Sequence, residues 1–319
     1  MRTRALPLLL CAFLCSAPSA VHSQGVDIRI VAPSAPGSGW DHVAQALRGA
    51  LAEKGGLEAV VTNKPGRAGV LGLGHFLATH SDTDLLVTGL TMLDASVLGR
   101  SGAEFARLRP IARLSAEPYG LVVPVNSPLK SLDDLRAALL TEPARLAWAG
   151  GPSGGVDHVA AILLGKALGI SAQRLNYVPF LTSSEAGIAA AEERVGIAML
   201  ALGEIQREIA AGRLRLLGVS AAVRLPGLDA PTLSEGSIPL EFANWRGVMA
   251  GPALSAEQQD RLATLVRSAV DTRVWQQMLQ SRSWQDAFLA PEPFAAFVRE
   301  EHRRVQEALK AAGLLKKGD

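Results

Sequence analysis

From Val26 onward, short β-branched or aliphatic runs alternate with amphipathic stretches, and that alternation confines the chain to an α/β fold with largely parallel strands. Residues 27–32, 58–62 and 85–89 read as strands. Residues 40–53 and 70–78 read as helices, the first with Val43, Ala46, Leu47, Ala50 and Leu51 on one face. A short strand is expected at 111–114, then an extended segment at 120–125 that Pro124 ends, bends or places at a sheet edge. A second α/β set follows, with strands at 145–149, 175–178, 195–200 and 214–220 and helices at 131–140, 156–168 and 184–193. Ser131 and Asp134 give the first of these helices a cap-like spacing. Residues 224–239, with Pro226, Pro231 and Pro239, break the alternation and read as a connection between lobes. A strand at 245–250 and helices at 256–270, 273–280 and 293–312 complete the chain.

The pattern predicts a two-lobed α/β architecture, with residues 24–124 and 240–319 forming one lobe and 125–239 the other. The length of 319 residues suits two such lobes. Two crossings between them, one near Val125 and one in the Pro-rich stretch, place a hinge beside a cleft. Apolar residues make up 48% and charged residues 19%, which excludes a disordered chain or a coiled coil.

Residues 1–23 read as an export signal: a basic start through Arg4, an apolar stretch to Leu14, and small residues before a cleavage expected after Ser23. Cys11 follows Leu10 and Cys15 follows Leu14, so neither offers a lipoprotein anchor. Both cysteines lie in this segment, so the mature chain has neither a disulfide nor a thiolate metal site. Arg2 and Arg4 also lie there, with no acid, so the remaining 30 basic side chains balance 30 acids. A neutral chain offers no electrostatic case for nucleic acid. No later apolar run approaches the roughly 18 to 20 residues that span a bilayer, and no membrane insertion is expected after signal cleavage.

Three loops between a strand and the following helix share an unusual chemistry: residues 33–41 with Gly37 and Gly39, 63–69 with Gly66 and Gly69, and 150–155 with four glycines. In an open α/β sheet, ligands bind beyond the carboxyl ends of the strands, where these loops lie. Glycine lets a ligand approach the backbone, and the free N–H groups of a helix start suit an anion, with carboxylate the natural guest. The plain alternative is that Pro and Gly make tight turns, and for Asp41 that an acid in a first turn complements the helix dipole. Trp40 either walls the pocket or packs between elements, and Lys64 and Arg67 either supply a counter-charge or are solvated.

Gly151-Pro152-Ser153-Gly154-Gly155 also fits the hydrolase pattern Gly-x-Ser-x-Gly. The acid and histidine that a hydrolase needs are not matched, because His158 is only five residues on and His302 lies in a charged helical stretch. His42, His75 and His80 have no metal-ligand spacing, and neither a phosphate-binding Gly-Lys-Ser/Thr nor a dinucleotide fingerprint occurs. No cofactor, metal or catalytic residue is therefore expected.

The ordered set of motifs resembles the substrate-binding receptors of tripartite tricarboxylate transporters, the TctC or Bug family. The likeness rests on residues 32–41, on Asn63-Lys64-Pro65-Gly66-Arg67-Ala68-Gly69 and on Ser127-Pro128-Leu129-Lys130-Ser131-Leu132-Asp133-Asp134-Leu135. It continues in Gly154-Gly155 before a helix and in Trp245-Arg246-Gly247 before Gly251-Pro252. It implies a periplasmic binding fold of the Venus-flytrap kind, with the ligand held between lobes. It also implies a first-lobe grip at Gly37, Ser38, Gly39, Trp40 and Asp41 and at Pro65, Gly66, Arg67, Ala68 and Gly69, with Thr88 and Thr91 lining the cleft. On the second lobe it implies contacts from Ser153, Gly154 and Gly155, from Phe180, Thr182 and Ser183, and near Ala201 and Leu202. Ser38 stands where a third glycine is common, and Phe180-Leu181-Thr182-Ser183 replaces a run usually rich in glycine.

The resulting expectation is a monomeric periplasmic receptor that takes a small di- or tricarboxylate and delivers it to a membrane permease. The alternatives are a secreted serine hydrolase using Ser153 and a ligand sensor docking on a signalling partner. Arg246 either reaches the cleft or braces the return strand.

Overall fold

The computed structural model describes residues 28–99 and 101–315, so the proposed export segment lies outside the described residues. Strands β1 (Ile28–Ala32), β2 (Ala59–Asn63) and β3 (Leu85–Gly89) are parallel, with Ile30 opposite both Val61 and Leu85. They are joined by α1 (Gly39–Gly55) and α2 (Val70–Thr79). Directly after β3 comes α3 (Leu90–Leu98), followed by the short α4 (Gly102–Phe105). The sequence reading has no helix there, because no polar or glycine-rich break separates strand from helix beyond Gly89 itself.

Strand β4 (Arg109–Pro124) joins the two segments that the sequence suggests at 111–114 and 120–125 into one ladder of 16 residues. Its first half pairs with β9 (Ala243–Ala250) and β10 (Gln285–Leu289). From Tyr119 onward it pairs with β7 (Ile197–Ala201) and β8 (Leu214–Val219). Pro124 is its last residue. Beyond β7 lie β5 (Ala147–Gly150) and β6 (Asn176–Pro179), parallel to each other and with β5 parallel to β7. The helices of this half are α5 (Leu132–Thr141), α6 (Val156–Ala167), α7 (Ser183–Ala191) and α8 (Leu202–Ala210).

The pathway β2-β1-β3-β9-β4-β7-β5-β6 is more mixed than the largely parallel sheet read from the alternation. The reason is that β4 and β9, which carry the chain across and back, run antiparallel to their neighbours. Helices α9 (Ala256–Val270) and α10 (Arg273–Arg282) pack on α1, and α11 (Pro291–Ala311) lies along β4 and touches both α3 and α6. One hydrophobic core runs from Phe76 and Leu93 through Tyr119 to Trp148, so the halves share interior. A second core, around Leu47, Val87 and Trp275, belongs to the β1–β3 half.

Two connections therefore link the halves, β4 and the stretch from Ser220 to Phe242. They are tied where they pass: Ser220 Oγ accepts the Tyr119 N–H at 2.8 Å and donates to the Phe242 carbonyl. The Ser220 N–H donates to the Tyr119 carbonyl at 2.9 Å and the Phe242 N–H to the Ser220 carbonyl at 3.0 Å.

Candidate functional site

A cavity of about 330 Å³ lies where β4 crosses, walled by α3 and Ala68 on one side and by the start of α6, Ser183 and Ala201 on the other. Its floor is Glu117 and Tyr119 of β4 with Asn244 and Arg246 of β9.

The first Gly-rich loop is organised around Asp41. The Gly37 N–H donates to Asp41 Oδ2 at 2.8 Å, and Asn63 Nδ2 donates to Oδ1 at 2.9 Å, tying this loop to the end of β2. Burial alone would push the Asp41 carboxyl up, but the hydrogen bonds from Gly37, Asn63 and Gln45 outweigh it and hold the group below its ordinary value. Ser38 caps α1, its hydroxyl accepting from the Asp41 N–H, and the N–H groups of Gly39 and Trp40 are not claimed by any described backbone group. Gly39 faces Arg246, whose Nη2 would stand 3.3 Å from an added Cβ.

In the second loop Gly66, Arg67, Ala68 and Gly69 all have left-handed backbone, with φ of 134°, 48°, 50° and 93°. A Cβ on Gly69 would meet the Trp40 ring at 2.7 Å, so Trp40 packs under this loop and against Gly89 instead of lining the cavity. Ala68 is the residue of this loop that reaches the cavity, while Pro65 and Arg67 are exposed. Thr88 is fully buried in β3, its hydroxyl directed to Met92 Sδ, and Thr91 lines the cavity as the second residue of α3.

On the facing wall Asp157 organises the third loop. It accepts from Tyr119 Oη at 2.9 Å, from the Gly151 N–H at 2.8 Å and from Ser183 Oγ at 2.6 Å. Burial raises its pKa, and the three donors act in the opposite direction. Tyr177 Oη donates to the Gly151 carbonyl at 2.8 Å and occupies the space of a Gly150 side chain. Ser153 and Gly155 line the cavity, and the Gly154 N–H donates to His158 Nδ1 at 3.0 Å. In the loop before α7, Phe180 packs under Arg194 and Thr182 caps the helix, so Ser183 alone of the three lines the cavity. Ala201 lines it from the end of β7, and Leu202 is buried against Gly120.

Arg246 both reaches the cavity and braces the strand. Its Nη2 bonds Glu117 Oε2 at 2.7 Å with both side chains buried, and its guanidinium stacks on Trp284 at 3.7 Å. Glu117 Oε1 also accepts the Gly203 N–H at 3.1 Å.

Sequence reasoning missed Asp94, Glu117, Tyr119, Asp157 and Glu204 in the lining. A signal existed for two of them. Asp94 is the lone charge in the apolar run from Leu90 to Leu98, and Asp157 stands in the first turn of a glycine-preceded helix.

The hydrolase arrangement is not formed. The His158 ring takes the Gly154 N–H and stacks on Tyr177 at 3.9 Å, and no described histidine bonds Ser153. Among the described residues, no group of three or more His, Cys, Asp or Glu could hold a metal, and no helix is long and apolar enough to cross a membrane.

Comparison with known proteins places this geometry. A UPF0065 protein from the tcbD-tcbE intergenic region of Pseudomonas sp. is 27% identical over 288 residues, covering 88% of this chain and 84% of the relative. A TctC solute-binding protein from Polaromonas superposes with a TM-score of 0.78 at 20% identity, covering 89% of this chain and 98% of that one. An R. palustris protein with adipate gives 0.70 at 22% identity, covering 91% and 98%. These structures share the two-lobed binding-protein fold. The model of the tripartite tricarboxylate transporter family receptor, TctC, matches residues 43–314, and the chain belongs to that family.

Proposed function

We propose that this receptor works in the periplasm, captures a small di- or tricarboxylate between its lobes, and presents it to the membrane permease of a tripartite transporter. One observation carries the reading: a left-handed turn and a helix start at the strand ends bring Ala68 from one half and Gly155 and Val156 from the other to a shared cavity. Backbone donors at such places are aimed in advance at oxygen atoms and favour an anion without chemistry on it. The adipate held by the R. palustris relative is a ligand of this size class. The lobes in this reading are 24–124 with 240–319 and 125–239. Closure follows from a ligand that binds the closed state more tightly than the open one.

Export by cleavage after Ser23 belongs to the same proposal, and amino-terminal sequencing of the secreted protein should begin at Gln24. A thermal-shift screen of residues 24–319 tests the ligand class. Citrate and other di- and tricarboxylates at a hundred times their dissociation constants stabilise a receptor by about 2.7 kcal/mol, a shift of several degrees, and the matched amides and esters do not. If no carboxylate moves the midpoint, and a chromogenic ester is cleaved by the protein but not by Ser153→Ala, the receptor reading fails.

A further inference from the structure

We propose that the cleft is specific for a carboxylate that also carries an ammonium group, and that Asp94 is the residue that receives the ammonium. The inference rests on the receptor reading above and narrows its ligand.

Asp94 sits in the middle of α3, between the buried Leu90, Leu93 and Val97, and lines the cavity with only 3% of its surface exposed. Its Oδ1 has no hydrogen-bond partner. Leaving a buried carboxyl oxygen unpaired is costly, and a helix face that is otherwise apolar gains nothing from it in packing. Asp94 lines the cavity, so a ligand donor placed there is the group available to its carboxyl.

The charges around the cavity decide which donor. Asp94, Glu117, Asp157 and Glu204 line it against a single cation, Arg246, and that cation is already paired with Glu117. Of the side-chain donors around the cavity, Tyr119 and Ser183 both point at Asp157. They are therefore occupied before a ligand arrives. A second carboxylate reaching this end of the cleft meets the carboxyl oxygens of Asp94, Asp157 and Glu204, whereas an ammonium meets acceptors for its donors. In the free receptor, burial and then the nearby Asp157 push Asp94 well above the ordinary carboxylate range. An ammonium supplies the counter-charge that lets it ionise.

The probes are matched sets of C4, C5 and C6 dicarboxylates, each as the unsubstituted acid, its 2-hydroxy and its 2-amino derivative. They are titrated calorimetrically into the mature wild type and into Asp94→Asn, which keeps the shape and removes the acid. At the best chain length, the 2-amino compound binds the wild type about 10- to 100-fold more tightly than the unsubstituted one, the range for a charge-assisted hydrogen bond. Asp94→Asn erases that preference, so that within the variant the 2-amino and unsubstituted acids bind alike, and a normal unfolding midpoint shows that the variant is folded. Equal or tighter binding of the unsubstituted or hydroxy acid overturns the inference, as does a preference that survives the substitution. Binding of citrate or a plain dicarboxylate without an amino preference sinks this inference alone. No binding of any carboxylate sinks the receptor reading with it.

Discussion

His158 shows how one side chain can hold a binding loop and set its acid limit. Its ring is packed between Tyr177 and the Gly154 N–H, and burial lowers its pKa to about 4. The neutral ring is the form that accepts the Gly154 hydrogen bond. An unfolded histidine takes a proton near pH 6.5, so below that point the unfolded state binds protons that the folded state refuses. The stability tied to the neutral ring is complete above about pH 6.5 and falls as pH drops toward 4, by at most about 1.4 kcal/mol per unit. Urea unfolding of wild type and His158→Gln should therefore give a stability gap that narrows between pH 7 and pH 4.5, and a constant gap refutes the assignment. At this scale the sequence was only partly legible. The glycines at 37, 66, 69 and 154 announce left-handed turns, and all four adopt positive φ. Glu117 carries no such mark, since its role depends on Arg246, 129 residues away.

Elements whose limits are written in local chemistry were read closely. The Ser131/Asp134 spacing forms a full capping box on α5: the hydroxyl accepts the Asp134 N–H at 3.1 Å, and Asp134 Oδ2 accepts the Ser131 N–H at 3.0 Å. Ser131→Ala should lower stability by about 1 kcal/mol in a denaturant titration and leave ligand affinity unchanged, because α5 contributes nothing to the cavity lining. A loss of affinity would mean that α5 communicates with the cleft. Elements defined by distant pairing were read poorly. β4 looked like two pieces because Pro118 interrupts its middle, yet Pro118 keeps its place opposite Ala243 on an antiparallel ladder with irregular register. Nothing local marks β10, because its pairing is to β4, more than 160 residues earlier, and its five residues have no internal alternation to announce a strand.

For the whole molecule, the position of Ser220 matters more than its chemistry. The two crossings are tied at this residue, where four hydrogen bonds join it to Tyr119 and Phe242, and the edge-on packing of Tyr119 against Phe242, at 4.9 Å, adds to the tie. Two tied strands allow the lobes to rotate about them but resist sliding past each other, which is the restraint a closing cleft needs. The far side of the cleft closes by contact, with Leu98 of α3 against Gly154 and Leu314 beside them. Ser220→Ala removes the bridge to Phe242 and leaves the buried Tyr119 N–H without an acceptor, a loss of about 1–3 kcal/mol. Since none of the binding loops is altered, any loss of affinity reports on the hinge. Lobes that slide are aligned for closure less of the time, and apparent affinity falls in proportion to the competent fraction, here by about three- to tenfold. Calorimetric titration beside an unfolding curve separates the two effects. If stability falls while affinity holds, Ser220 supports the fold alone, and closure is governed elsewhere, with the Leu98 contact at the cleft mouth the next place to cut.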